Sequence, residues 1–235
     1  MCQALSVERS SQYKFLVNSE MGKIKVLLAE DHTIVREGIR SLLESQPDIE
    51  VVGEAENGLD AVRKTQKLQP DVVIMDISMP KLNGIDATRL IKKRVPSTKV
   101  LVLTVHEQEE YAVEILKAGA SGYLVKKTAM SELVAAIRAV NQGLSFLSPS
   151  VSKMMLDKYI KGAKRVSIKK EAITTRERQV LQLIAEGYTN KEIAKILFLS
   201  IRTVEKHRAN IMNKLNIHDV AGLTKYAIER GLIER

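Results

Sequence analysis

Val72-Val73-Ile74-Met75-Asp76-Ile77-Ser78-Met79-Pro80 sets four consecutive apolar residues before a single carboxylate and closes on a proline. A run that short, with no polar alternation, predicts a strand covered on both faces, as in the interior of a parallel sheet. Asp76 then stands just past the carboxyl end of that strand, which is where ligands gather in open α/β sheets.

The same rhythm extends in both directions. Strands are predicted at Ile24–Ala29, Glu50–Glu54, Val72–Met75, Val100–Thr104 and Gly122–Val125. Amphipathic helices are predicted between them at Ile34–Glu44, Leu59–Leu68, Ile85–Arg94, Glu110–Ala118 and Ser131–Asn141. Five βα units of this kind imply a doubly wound five-stranded parallel sheet. Ser145-Phe146-Leu147-Ser148-Pro149 reads as a turn before a short helix, Lys161–Lys170 bears Lys, Gly and Ser without periodicity, and residues 143–170 read as a linker. Beyond it the pattern is helical, at Thr175–Glu186, Asn190–Leu197, Ile201–Leu215 and Asp219–Arg230.

The expected organisation is a flexible extension over 1–22, an α/β domain over 23–142, a linker over 143–170 and an all-α four-helix domain over 171–235. Charge divides along the same line. Residues 1–150 hold 19 Lys and Arg against 19 Asp and Glu, whereas residues 151–235 hold 18 against 9, so the whole net charge of +9 lies in the last third. A polyanion is the partner that distribution suits, nucleic acid ahead of an anionic membrane face. A lone cysteine, Cys2, argues for a reducing compartment, and no apolar run approaches the roughly 20 residues that cross a bilayer. A cytoplasmic protein with no membrane partner is expected.

At the predicted strand ends stand Glu30-Asp31, Asp76, Thr104 and Lys126. Carboxylates converging on one rim repel unless a hard cation sits among them, and Mg²⁺ prefers oxygen ligands of this kind. The set also suits phosphoryl transfer: Asp76 as nucleophile, Lys126 paired first with its carboxylate and then with the phosphoryl group, the Thr104 hydroxyl on a phosphoryl oxygen, and Glu30, Asp31, Asp76 and the Ser78 backbone carbonyl around the metal. Singly, each has a plainer reading: Glu30 or Asp31 as a helix N-terminal acid, Lys126 as a solvated lysine, Tyr123 as strand packing.

In the helical part Thr174 with Glu177 forms a capping-box pattern, with Thr175 as an alternative start; Thr189 caps the second helix and Ser200 the third. Two helices joined by Phe198-Leu199-Ser200 have helix-turn-helix spacing. Val204, Ile211 and Leu215 share one face of the third helix and leave Lys206, Arg208, Ala209, Asn210 and Asn213 outside it, a surface suited to the major groove. The last helix carries an apolar stripe of Val220, Leu223, Tyr226 and Ala227, readable as core or as a dimer face.

Ala29-Glu30-Asp31-His32, Met75-Asp76-Ile77-Ser78-Met79-Pro80, Leu103-Thr104 and Gly122-Tyr123-Leu124-Val125-Lys126 together resemble the flavodoxin-like receiver domain of bacterial two-component response regulators, from about Lys23 to Gln142. The segment from Ile173 resembles the LuxR-type DNA-binding domain, so the chain is similar to the NarL/FixJ class of transcription regulators, which are not enzymes. Glu30 stands where that family more often has Asp, and Lys127 where it often has an acid. The resemblance implies an aspartyl phosphate on Asp76 supplied by a sensor histidine kinase, Thr104 and Tyr123 as the switch pair drawn inward by it, a receiver that otherwise covers the recognition helix or holds monomers apart, and a homodimer on promoter DNA with RNA polymerase as a further partner.

By the same resemblance Glu205, Lys206 and Ala209 lie nearest the bases, with Lys206 foremost, and Thr189, Lys191, Arg202, Thr203, His207, Arg208 and Lys214 meet phosphates. Three rivals stand against this reading. A ligand-sensing activator needs an aromatic-lined pocket, yet residues 23–142 have few aromatics and no Trp; a phosphatase or phosphotransferase leaves the basic helical domain without a purpose; a phosphorylation-independent receiver leaves the full acidic set unexplained.

Overall fold

The computed structural model describes residues 22–105, 109–127, 130–153 and 173–233. In the N-terminal part β1 (Ile24–Ala29), β2 (Ile49–Ala55), β3 (Val72–Met75), β4 (Lys99–Thr104), β5 (Gly122–Val125) and β6 (Phe146–Leu147) form one parallel sheet in the order β2-β1-β3-β4-β5-β6. Between them run α1 (Thr33–Glu44), α2 (Gly58–Leu68), α3 (Gly84–Arg94), α4 (Glu109–Lys117) and α5 (Met130–Asn141). Apart from β6, every element agrees with its sequence expectation to within one residue at either end.

β3 shows why its sequence is apolar throughout. Val73 and Met75 pack on one side with Val62 of α2, Ile91 of α3 and Ile115 of α4, while Val72 and Ile74 pack on the other with Ile39 and Leu43 of α1 and Ile137 of α5. Each such fully buried aliphatic side chain stabilises the fold by about 1.5–3 kcal/mol. Asn57 and Asn83 cap α2 and α3, accepting from the amides of Asp60 and Asp86 at 2.9 Å each. Strand order reverses between β1 and β3, so the loops after these two strands open a crevice at their carboxyl ends.

The sheet has six strands, not the expected five. Phe146 and Leu147 pair with Gly122 and Tyr123, and two residues are too few to show any periodicity. Nor does the linker begin at residue 143, since Val151 is 1% exposed and packs in the core beside Tyr123. The rest of the expected linker, and residues 1–21 of the expected extension, lie outside the described residues.

The C-terminal part consists of α6 (Thr175–Ala185), α7 (Asn190–Leu197), α8 (Ile201–Leu215) and α9 (Val220–Glu229) around a core of Val180, Leu181, Ile184, Ile193, Val204, Ile211, Leu223 and Ala227. Thr174, not Thr175, is the N-cap of α6, in a complete capping box with Glu177; Thr189 and Glu192 form a second box on α7. Leu223 and Ala227 are fully buried in this core, whereas Val220 is 43% exposed. Most of the apolar stripe on α9 is therefore accounted for by packing within the chain.

Candidate acidic site and nucleic-acid interface

Oxygens of Glu30, Asp31 and Asp76, with a nitrogen of His32, lie within 4.8 Å of one another at the carboxyl ends of β1 and β3. Lys126, just past β5, reaches across them, with Nζ 2.7 Å from Glu30 Oε2 and 2.9 Å from Asp76 Oδ2. Burial alone would lower the pKa of this ammonium, but Asp76 and Glu30 outweigh it and hold Lys126 above the ordinary lysine value.

Asp76 is 3% exposed, and its Oδ1 accepts from the Ile77 amide at 2.8 Å. Burial pushes its carboxyl up to about 6; Lys126 pulls against this and Glu30 adds to it. Asp31 Oδ1 is cut off from solvent and accepts no hydrogen bond, although His32 Nδ1 lies 3.1 Å away, because that nitrogen is aimed at Glu30 Oε1. A buried carboxylate oxygen without a donor, beside two further carboxylates, is a place where a hard divalent cation replaces missing hydrogen bonds. The carboxylates of Glu30, Asp31 and Asp76 thus form a donor set that fits Mg²⁺.

Thr104 ends β4 beside β3, and its carbonyl accepts from the Lys126 amide at 2.7 Å. Thr104 and Tyr123 are both fully buried. Tyr123, expected as the partner of Thr104 in a switch pair, is thus already buried in this conformation. Gly84 is required by close packing here, because a Cβ on it would collide with the carbonyl of Asp76.

In the helical part Glu205, Lys206 and Ala209 are exposed on α8, as are Lys191 on α7 and Arg202 at the start of α8. Several other expected phosphate contacts have partners within the domain. Thr189 Oγ1 lies 2.7 Å from Glu192 Oε2 in its capping box, the Thr203 hydroxyl lies 2.8 Å from that of Ser200, and Arg208 Nη1 lies 3.4 Å from Asn190 Oδ1. His207 is half-buried, with Nδ1 enclosed and without a hydrogen-bond partner. Lys214 binds both oxygens of buried Glu177, at 2.9 and 2.7 Å. Burial would raise the Glu177 pKa, but Lys214 and the Thr174 cap outweigh it and leave the carboxyl below its usual value. Lys214 thus ties α8 to α6.

Residues 26–138 match the family model of the response regulator receiver domain, and residues 171–227 that of bacterial regulatory proteins of the luxR family. The transcriptional regulatory protein DegU of Brevibacillus brevis is 38% identical over 226 residues, spanning 90% of this chain and 96% of that protein. Among solved structures, the RcsB response regulator of Salmonella typhimurium is similar over 88% of this chain and 98% of its own, at 33% identity and TM-score 0.55. A further RcsB structure, of two dimers bound to two parallel DNAs, covers 87% of this chain and 98% of its own, at 33% identity and TM-score 0.54. The chain is a response regulator of the NarL/FixJ class. Its family consists of DNA-binding transcription regulators and not of enzymes.

The two parts of this response regulator meet at the loop that follows Asp76. Gln182 of α6, fully buried, donates from Nε2 to the Met79 carbonyl at 2.9 Å and accepts at Oε1 from the Asn83 amide at 2.9 Å. Glu186, one turn further on, accepts from the Lys81 amide at 3.0 and 3.1 Å. Arg178 Nε lies 3.6 Å from Asp86 Oδ2, and Asp86 and Glu114 both hold Arg89 at 2.7 Å. At the far end the Tyr111 hydroxyl of α4 closes on Gly231, where φ is +61° and a Cβ would overlap the ring. The receiver thus grips the scaffold helix α6. Of the two expected arrangements, a receiver covering the recognition helix or one holding monomers apart, the first is not seen here, since Glu205, Lys206 and Ala209 are exposed on α8.

Sequence reasoning overlooked this contact, the place of His32 in the acidic cluster, and Arg36 of α1. Two signals were present. Arg36 lies on the same helical face as Ile39 and Leu43, and Gln179 and Gln182 are both buried within α6. A polar residue on an apolar stripe has a partner to satisfy.

Proposed function

We propose that this response regulator accepts a phosphoryl group on Asp76 from a sensor histidine kinase in the cytoplasm, and that the modified protein binds promoter DNA as a dimer through α8, where it meets RNA polymerase. The observation that carries the reading is the convergence of Glu30, Asp31 and Asp76 under the Lys126 ammonium at one rim of the sheet. In the step, a carboxylate oxygen of Asp76 forms a bond to phosphorus while the phosphorus–nitrogen bond of the phosphohistidine breaks, and the departing imidazole is left to take up a proton.

Lys126 meets the incoming negative charge, and Thr104 offers its hydroxyl to a phosphoryl oxygen. Mg²⁺, when bound, supplies charge neutralisation on the phosphoryl oxygens. A charge of about −2 arriving on Asp76 strains the loop from Ile77 to Asn83, whose other side is gripped by Gln182 and Glu186. Loosening that grip lets the helical domain turn and pair with a second copy on a two-fold or tandem site, and the DNA-bound dimers of RcsB support such pairing.

The test is a DNA-selection assay with and without acetyl phosphate and Mg²⁺, run beside radiolabelling of the wild type and of Asp76→Asn. Labelling confined to the wild type, with a sequence preference that sharpens on labelling, is the expected result. Equal labelling of Asp76→Asn overturns the assignment of the acceptor.

A further inference from the structure

We infer that Arg36 is a positioning residue for the divalent-cation site, fixing the main chain that carries Glu30 and Asp31; the inference rests on the metal-dependent reading of the acidic cluster given above. Arg36 lies in the first turn of α1, where its amide donates to the His32 carbonyl at 2.9 Å. Its side chain, 8% exposed, folds back beneath the acidic loop instead of pointing to water. Nη1 donates to the Glu30 carbonyl at 2.8 Å and stands 3.4 Å from the Asp31 carbonyl. Nε binds Glu54 Oε2 at 3.1 Å and Nη2 binds Glu56 Oε1 at 3.0 Å, both acids belonging to β2 and the turn after it.

The plainer account is an ion pair that ties α1 to β2. Arg40 makes that tie as well, holding Glu54 at 2.7 Å, yet it touches no carbonyl of the acidic loop. What separates Arg36 is where its remaining donor points. The Glu30 amide donates to the Ala55 carbonyl at 3.0 Å, so with Arg36 on the Glu30 carbonyl both main-chain groups of this residue are fixed. Three neighbouring acids repel one another, and a loop left to itself would let Glu30 and Asp31 swing apart toward solvent. A guanidinium supplies planar, fixed donors to two carbonyls and two carboxylates together, which the single ammonium of lysine cannot do. Groups that orient metal ligands without touching the metal typically govern 10–100-fold in metal affinity.

The experiment is a Mg²⁺ titration of the full chain, followed by the amide resonances of Asp31 and Ser78, for the wild type, Arg36→Lys and Arg40→Ala, with urea midpoints measured on the same samples. A purely structural arginine lowers the urea midpoint and leaves the Kd of the folded protein unmoved. The expected result is a Kd raised at least tenfold in Arg36→Lys and changed less than twofold in Arg40→Ala. An unchanged Kd in folded Arg36→Lys overturns the inference. Should that variant fail to fold, Glu54→Gln decides in its place: it keeps the arginine but slackens its anchor, and a Kd raised several-fold supports the inference while an unmoved one overturns it. A wild type whose resonances do not respond to Mg²⁺ at all overturns the metal-site reading itself, and this inference with it.

Discussion

Gln182 in the DNA-binding domain and Met79 in the receiver are joined by a 2.9 Å hydrogen bond from the side-chain amide to the main-chain carbonyl, three residues beyond Asp76. The partners are 103 residues apart in sequence, and Gln182 is fully buried. Gln182→Ala leaves the Met79 carbonyl and the Asn83 amide without this partner, at about 1–3 kcal/mol for each group still enclosed. The docked arrangement should then lose at least tenfold in population. Small-angle scattering will show a longer particle, and DNA affinity without a phosphoryl donor will rise toward that of the labelled wild type; unchanged scattering would count against the clasp.

Docking should also depend on pH. Burial raises the Glu186 carboxyl above its usual value, although Gln182 and the Lys81 amide oppose this. A pKa higher in the docked state than in the separated one means that docking takes up protons. The clasp is therefore strongest below the ordinary glutamate range and weakens as pH rises through the raised value. Interdomain crosslinking across this range will decrease with rising pH in the wild type and run flat in Glu186→Gln.

Asp76 carries a penalty in the metal-free protein. Its pKa of about 6 in the fold, against 3.8 outside it, means that the folded state holds its proton longer than the unfolded chain does. Stability is lost between these two values as pH rises, and the loss is complete above about 6. Asp76→Asn should raise unfolding stability by about 1–3 kcal/mol at about pH 8 without Mg²⁺, with the gain vanishing near pH 4. Urea midpoints at the two pH values will show it; an equal gain at both would mean that the shift is not the cause.

Three lysines of the helical domain should behave differently. Lys206→Ala is expected to relax base preference, and Lys191→Ala to lower affinity for every sequence and to flatten the salt slope by about one. Lys214→Ala strands the Glu177 carboxylate, which is 4% exposed, and should lower domain stability by about 1–2 kcal/mol. Melting curves beside binding isotherms separate the three. A Lys214→Ala variant of wild-type stability but weakened binding would instead make Lys214 chiefly a phosphate contact.

The sheet and the acidic rim were legible because each is written locally. β3 is apolar on every residue since both its faces are covered, and Asp76 follows at once. β6 was not legible, because two residues carry no pattern and its pairing with β5 is a tertiary fact. The ion pair of Lys214 with Glu177 was not legible for a related reason: a basic residue in the last turn of a helix looks free until the buried acid on another helix is in view. Arg36 and Gln182 are polar residues at buried positions, which announces that a partner exists but not where it lies.

Equilibrium linkage makes the grip of Gln182 on the Met79 loop work in both directions. Whatever factor a ligand at the acidic rim applies to the affinity for DNA must reappear, from the other side, as the factor by which DNA alters the affinity of the rim for that ligand. If promoter DNA selects the undocked form, as proposed above, it is an effector of the receiver, and the ligand occupancy of the acidic rim becomes a property of the protein and its binding site together.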